Sequence, residues 1–134
     1  MSAPASLLEA ATKARMNAHS PYSGFKVGAA IRTASGHTYT GCNVENSSYG
    51  ATVCAERVAI QKAISEEGKV VITEVVVVTD STPPWPPCGM CRQVIAEFAS
   101  ATTPVAAANL KGETKSWKFS DLMPEAFTSA NLKN

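Results

Sequence analysis

The segment TEVVVVTD places four valines in succession, Val75, Val76, Val77 and Val78. Side chains alternate faces along a strand, so this run is apolar on both sides and must be covered on both. That requirement favours a layered α/β arrangement over a one-sided sheet. The flanking sequence supplies the covering helices. Leu7, Ala11, Ala14 and Ala18 recur at helical spacing, with Lys13 and Arg15 off the stripe. They predict a helix over residues 5–19, with Ser6 as its N-cap and SPYSG as its stop. FKVGAAIRT and TYTGCNVE, joined by ASGH, read as a hairpin. A second helix is expected over residues 53–66, with Ala55, Ala59, Ile60, Ala63 and Ile64 as its apolar face and Gly68 closing it. A third is expected over residues 89–99, with Val94, Ile95 and Phe98 inward. TPVAAANL and KSWKFSD are further strands around a KGE turn, and DLMPEAF suggests a short last helix. The expected fold is a three-layer α-β-α domain over residues 1–134, with a mixed sheet of about five strands.

Charge narrows the function classes. Twelve basic residues face 11 acidic ones, for a net charge of +1, and aromatic residues are 7% of the 134. Neither a polyanion-binding stripe nor a stacking platform for a nucleic-acid strand is offered, so free small molecules are the expected substrates. The opening MSAPASLLEAATKARMNAHS lacks the pattern of a secretory signal, and no apolar run approaches a membrane span. The expectation is a cytoplasmic chain without a membrane partner. There the four cysteines serve as thiols or metal ligands rather than disulfides.

The pair Cys88-x-x-Cys91, in PPWPPCGMC, opens the third helix. By itself it is open to three readings: a redox dithiol, part of a metal site, or thiols without chemistry. Cys54 opens the preceding helix. The order of elements puts both helix starts at the carboxyl ends of strands, where ligands bind in open α/β sheets. Three thiolates would give zinc three protein ligands and leave a fourth position for water, as catalytic sites do. Cys42 as a fourth ligand would make the site structural, but it lies within an alternating strand where a small buried cysteine is common. Glu56, two residues after Cys54, is either a favourable charge in a first helical turn or the proton carrier beside an open metal site.

The combination of Cys54-Ala55-Glu56 with Pro87-Cys88-Gly89-Met90-Cys91 is the general pattern of zinc deaminases. With SPYSGFKVGAA (20–30), GCNVENSSYG (41–50), CAERVAI (54–60), PCGMCRQV (87–94) and LMPEAF (122–127), the chain resembles cytidine deaminases of the short homotetrameric class. The resemblance implies hydrolysis of cytidine and deoxycytidine to the uridines with release of ammonia, a step of pyrimidine salvage. It implies one Zn2+ per subunit on Cys54, Cys88 and Cys91, and Glu56 as the proton shuttle. It further implies Phe25 against the pyrimidine, Asn43 and Glu45 on the ribose hydroxyls, and Tyr49 and Phe127 reaching a neighbouring subunit's site in a homotetramer. Three thiolates make a formally negative zinc centre, so Arg57 is expected to donate to one of them.

Rival readings remain at this level. A deaminase of another cytosine nucleoside analogue would share the zinc motifs, and a non-catalytic zinc or thiol-redox module would share the cysteines. The chain departs from the family's usual pattern at His19 and at Pro86 within TPPWPPCG. The second departure puts the base-pocket geometry near Trp85 in question.

Overall fold

The computed structural model describes residues 4–132. In chain order the elements are α1 (Ala5–Arg15), β1 (Gly28–Thr33), β2 (Thr38–Cys42), α2 (Ala55–Glu67), β3 (Ile72–Val78), α3 (Gly89–Phe98), β4 (Pro104–Ala108), β5 (Thr114–Lys118) and α4 (Phe119–Leu122). Single tight helical turns occur at Tyr49–Ala51 and Ser129–Leu132.

The strands form one sheet in the order β2-β1-β3-β4-β5. Strand β1 pairs antiparallel with β2 and β3, β3 pairs parallel with β4, and β5 returns antiparallel along β4. The parallel pair needs a crossover connection, and α3 supplies it.

The four valines partition as a doubly covered strand requires. Val76 and Val78 join Leu7 and Ala11 of α1, with Ala30, Ala106 and Ala108, on one face. On the other, Val75 packs with Ile31, Val105, Ala59, Ile60 and Ala63 of α2 and Ile95 of α3. None of the four is more than 2% exposed. Each buried valine contributes roughly 1.5–3 kcal/mol of transfer free energy as an upper bound. The α-β-α layering and mixed five-stranded sheet agree with the sequence expectation.

Two glycines set how closely helices approach the sheet. A Cβ at Gly28 would overlap the Ala11 carbonyl and lie 2.7 Å from the Arg15 nitrogen. One at Gly41 would overlap the Ala55 carbonyl and lie 2.6 Å from the Ala59 nitrogen. The second contact matters for chemistry, because it seats the first turn of α2 directly on β2.

Several boundaries differ from the sequence reading, each for a local reason. Helix α1 ends at Arg15 rather than at residue 19, because Met16, Asn17 and Ala18 close tight three-residue turns onto Lys13, Ala14 and Arg15. His19 is then drawn into a bridge with Val44. Ser6 is not the N-cap; Pro4 holds that position, and Ser6 Oγ accepts from Arg32 at 3.0 Å. Residues 25–27 do not extend β1, because the Asn43 side chain takes their backbone: its Oδ1 accepts from Val27 N at 2.9 Å and its Nδ2 donates to the Phe25 carbonyl at 2.7 Å. Helix α2 starts at Ala55, two residues late, with Cys54 in the cap position. The last helix lies at Phe119–Leu122, ahead of the expected segment, since Met123 before Pro124 is held out of helical geometry.

Candidate metal centre and cavity

Cys54 and Cys88 occupy equivalent positions, each the N-cap of its helix with extended backbone, and Cys91 lies in the first turn of α3. Two helix N-termini thus converge on the same thiols. Their unpaired N–H groups and dipoles favour the thiolate form. The three sulfurs lie within 4.8 Å of one another, and the Cys54 and Cys88 sulfurs are 3.8 Å apart although 34 residues separate them in sequence. Tetrahedral zinc with bonds of about 2.3 Å places neighbouring sulfurs roughly 3.8 Å apart, so the donor set fits that ion. Cys42, half-buried on β2, is outside the cluster, which leaves three ligands rather than four among the described residues.

The electrostatics suit a clustered thiolate. A hydrogen bond from Cys91, aided by Arg57 and Cys88 and opposed by burial, holds the Cys54 thiol down at about 5. Cys91, fully buried and donating to Cys54, is pushed well above the ordinary thiol range. Arg57 Nη2 reaches Cys54 Sγ at 3.7 Å and the Thr52 carbonyl at 3.4 Å, while its Nε is buried without a partner. The donation to a cluster thiolate expected from sequence is therefore present. Glu56 is 3% exposed; burial, reinforced by the Cys54 thiolate, pushes its carboxyl up to about 7.

A cavity of about 240 Å³ opens over this cluster, lined by Cys54, Cys88 and Glu56 together with Asn43, Glu45 and Thr52. Val27, Ala55, Val77, Thr79, Trp85 and Pro86 complete the wall. Five of the residues singled out from sequence therefore share one space, and Cys91 lies buried beneath it. Asn43 and Glu45 are also committed to scaffolding. Glu45 Oε1 accepts from Tyr22 N at 2.9 Å and Ser23 N at 3.1 Å, and its Oε2 accepts from the Ser23 hydroxyl. These bonds, the Ser23 hydroxyl first, hold its carboxyl below the ordinary range. Phe25 is not in this cavity. It is 58% exposed and meets Trp85 edge-on, with ring centroids 5.3 Å apart and planes at 63°.

Residues 1–107 match the sequence pattern of the cytidine and deoxycytidylate deaminase zinc-binding region. The chain belongs to the cytidine deaminase family. It is 45% identical over 128 residues to a cytidine deaminase of Halalkalibacterium halodurans, covering 96% of each chain. It is 46% identical over 126 residues to one of Sporosarcina psychrophila, covering 94% of this chain and 92% of that one. Among solved structures, the cytidine deaminase of Burkholderia pseudomallei superposes with a TM-score of 0.85 at 42% identity, covering 94% of this chain and all of that one. The matched family region is a zinc-binding one, and the Cys54, Cys88 and Cys91 cluster could hold that ion here.

Sequence reasoning did not single out Thr52 and Thr79 of the cavity wall, nor Arg92 beside Cys91. Thr79 follows the valine run at the carboxyl end of β3, a position where open sheets bind ligands and a signal that could have found it. Arg92, next to Cys91, donates from Nε to the Pro87 carbonyl and from Nη1 to the Leu122 carbonyl, both at 2.8 Å. It fixes the approach to Cys88 against the carboxyl-terminal segment. Leu122 is 30 residues away in sequence, so no local pattern announces that bond.

Proposed function

We propose that this chain hydrolyses free cytidine and deoxycytidine to uridine and deoxyuridine. The observation that carries the proposal is the convergence, at one cavity, of a buried carboxyl poised near neutrality, two cysteines of the three-cysteine cluster, and the polar pair Asn43 and Glu45. Zinc held by Cys54, Cys88 and Cys91 would act as a Lewis acid on a bound water, lowering its pKa and making it the nucleophile. Glu56 accepts the proton released as the water oxygen bonds to C4 of the cytosine. It delivers that proton to N3, then takes the remaining proton of the new C4 hydroxyl and passes it to the exocyclic amine; the C4 carbonyl forms, the C4–N bond breaks, and ammonia leaves. A carboxyl with a pKa of about 7 is suited to both halves of that transfer. Asn43 and Glu45 bind the ribose hydroxyls on the opposite flank, and their bonds to the 22–27 segment hold them rigid.

A zinc-loaded sample is expected to convert the ultraviolet spectrum of cytidine to that of uridine with equimolar ammonia, to stop on chelation and to resume when zinc is restored. Zinc-loaded protein that released no ammonia from cytidine would overturn the reading.

Arg57 offsets the negative charge of the cluster through Cys54. Arg57→Ala is expected to retain zinc by metal analysis while kcat falls about tenfold or more, since a hydrogen bond to a charged group is worth roughly 1.5–3 kcal/mol. A fully active variant would remove Arg57 from the mechanism.

The assembly we propose is a homotetramer with one zinc per subunit and active sites near subunit interfaces. Tyr22, Tyr49, Phe25 and Phe127 are all more than half exposed, and rings in that number on one chain are what an interface covers. Gln93 Nε2 donates to the Phe127 carbonyl at 2.8 Å, presenting that ring outward from α3. No helix among the described residues is long and apolar enough to cross a membrane. Four unpaired cysteines suit the reducing cytoplasm, the compartment we propose.

A further inference from the structure

The catalytic cavity has a neighbour. A second cavity, of about 380 Å³, lies beside it and shares three wall residues with it: Val27, Thr79 and Trp85. Its far side is built from Arg15, Lys26, Asp80, Ser81 and Thr82, and the Phe25 ring closes one edge. A volume in this range is that of an ordinary small-molecule pocket. The other flank of the catalytic cavity is distinct. There Glu45 and Thr52 are shared with a depression lined by Tyr22, Ser23 and Tyr49.

These flanks assign the edges of a bound cytosine, given the function proposed above. C4 faces the sulfurs, N3 faces Glu56, and N1 with its sugar leads toward Glu45. The C5–C6 edge is left, and the flank left to receive it is the one formed by Val27, Thr79 and Trp85. The indole fits the part of a wall. It stands at 63° to Phe25, so it cannot lie parallel with Phe25 on the face of a base and is placed to meet a ring edge instead. Trp85 meets Phe25 edge-on, is 43% exposed and belongs to neither hydrophobic core cluster, so its removal does not open the core.

We propose that the second cavity is a subsite for substituents at C5 of cytosine nucleosides, and that Trp85 is the partition setting the largest substituent accepted. Its lining of two cations against one acid, with three hydroxyls, suits substituents ending in hydrogen-bond acceptors. The reaction at C4 is unchanged by this assignment.

The test compares kcat/KM for 5-phenylcytidine with that for cytidine in the zinc-loaded parent and in Trp85→Ala. The ratio is expected to rise about tenfold or more in the variant. Adding Ser81→Phe, which refills the second cavity from its far wall, is expected to cancel the gain. Calorimetric affinities for 5-phenyluridine relative to uridine read the same preference without turnover and are expected to shift in the same sense. A parent that releases ammonia from cytidine while Trp85→Ala leaves both ratios unchanged would overturn the partition. A gain that survives Ser81→Phe would overturn the subsite. A parent that fails to act on cytidine would sink the deaminase reading alone, because the affinity ratio still decides the role of Trp85.

Discussion

Glu56→Gln is expected to fold, load zinc and turn over cytidine about a thousandfold or more slowly than the parent. The substitution keeps the shape of the side chain and removes its capacity to carry a proton. Glu56 lines the same cavity as Cys54 and Cys88 and is not a member of the three-sulfur cluster, so metal content measured on the purified variant should match the parent. On the proposed mechanism the effect is large because one group serves twice: it takes the two protons of the water in turn and passes them to N3 and to the departing amine. Steady-state rates with metal analysis of the same sample decide the matter. A zinc-replete Gln variant within tenfold of the parent would show that another group carries the proton. Loss of zinc in that variant would instead mark Glu56 as part of the metal site.

The chemistry of this site was legible because its parts are local. Cys54, Glu56, Cys88 and Cys91 sit at helix caps and in first turns, where spacing of two or three residues fixes relative direction. The valine run likewise announced a doubly covered strand, and alternation then fixed which valine meets which helix. What escaped depended on partners far along the chain. Ser6 looked like a cap until Arg32 claimed its hydroxyl. The expected start of β1 failed because the amide of Asn43, 16 residues on, replaces ladder bonds at Val27. Phe25 at a strand start would ordinarily be core, yet it is exposed against Trp85, a contact no spacing rule anticipates. The same holds for the bond that Arg92 makes to the Leu122 carbonyl, 30 residues on.

The isolation that suits Glu56 to its task also has a cost in stability, and the cost is measurable. In the metal-free protein, burial raises the carboxyl from 4.5 to about 7, with the Cys54 thiolate adding to the shift. The folded state therefore prefers the protonated form. Below pH 4.5 Glu56 is protonated in both folded and unfolded chains, and its contribution to stability is fully present. As the pH rises through 7, the folded protein must ionise a buried carboxyl, and that contribution is lost. Each pH unit between the two values is worth about 1.4 kcal/mol, so the loss is on the order of 3 kcal/mol. Glutamine is neutral throughout and escapes it. Chelator-treated Glu56→Gln and parent protein should then unfold at similar urea concentrations near pH 4. Near pH 8 the variant should be the more stable by that amount. Stability curves that run parallel from pH 4 to 8 would mean that water reaches the carboxyl and that its pKa is not raised. Divergence in the expected sense would show that one substitution removes turnover and strengthens the fold, the trade expected where a protein holds a charge-bearing group out of water in order to use it.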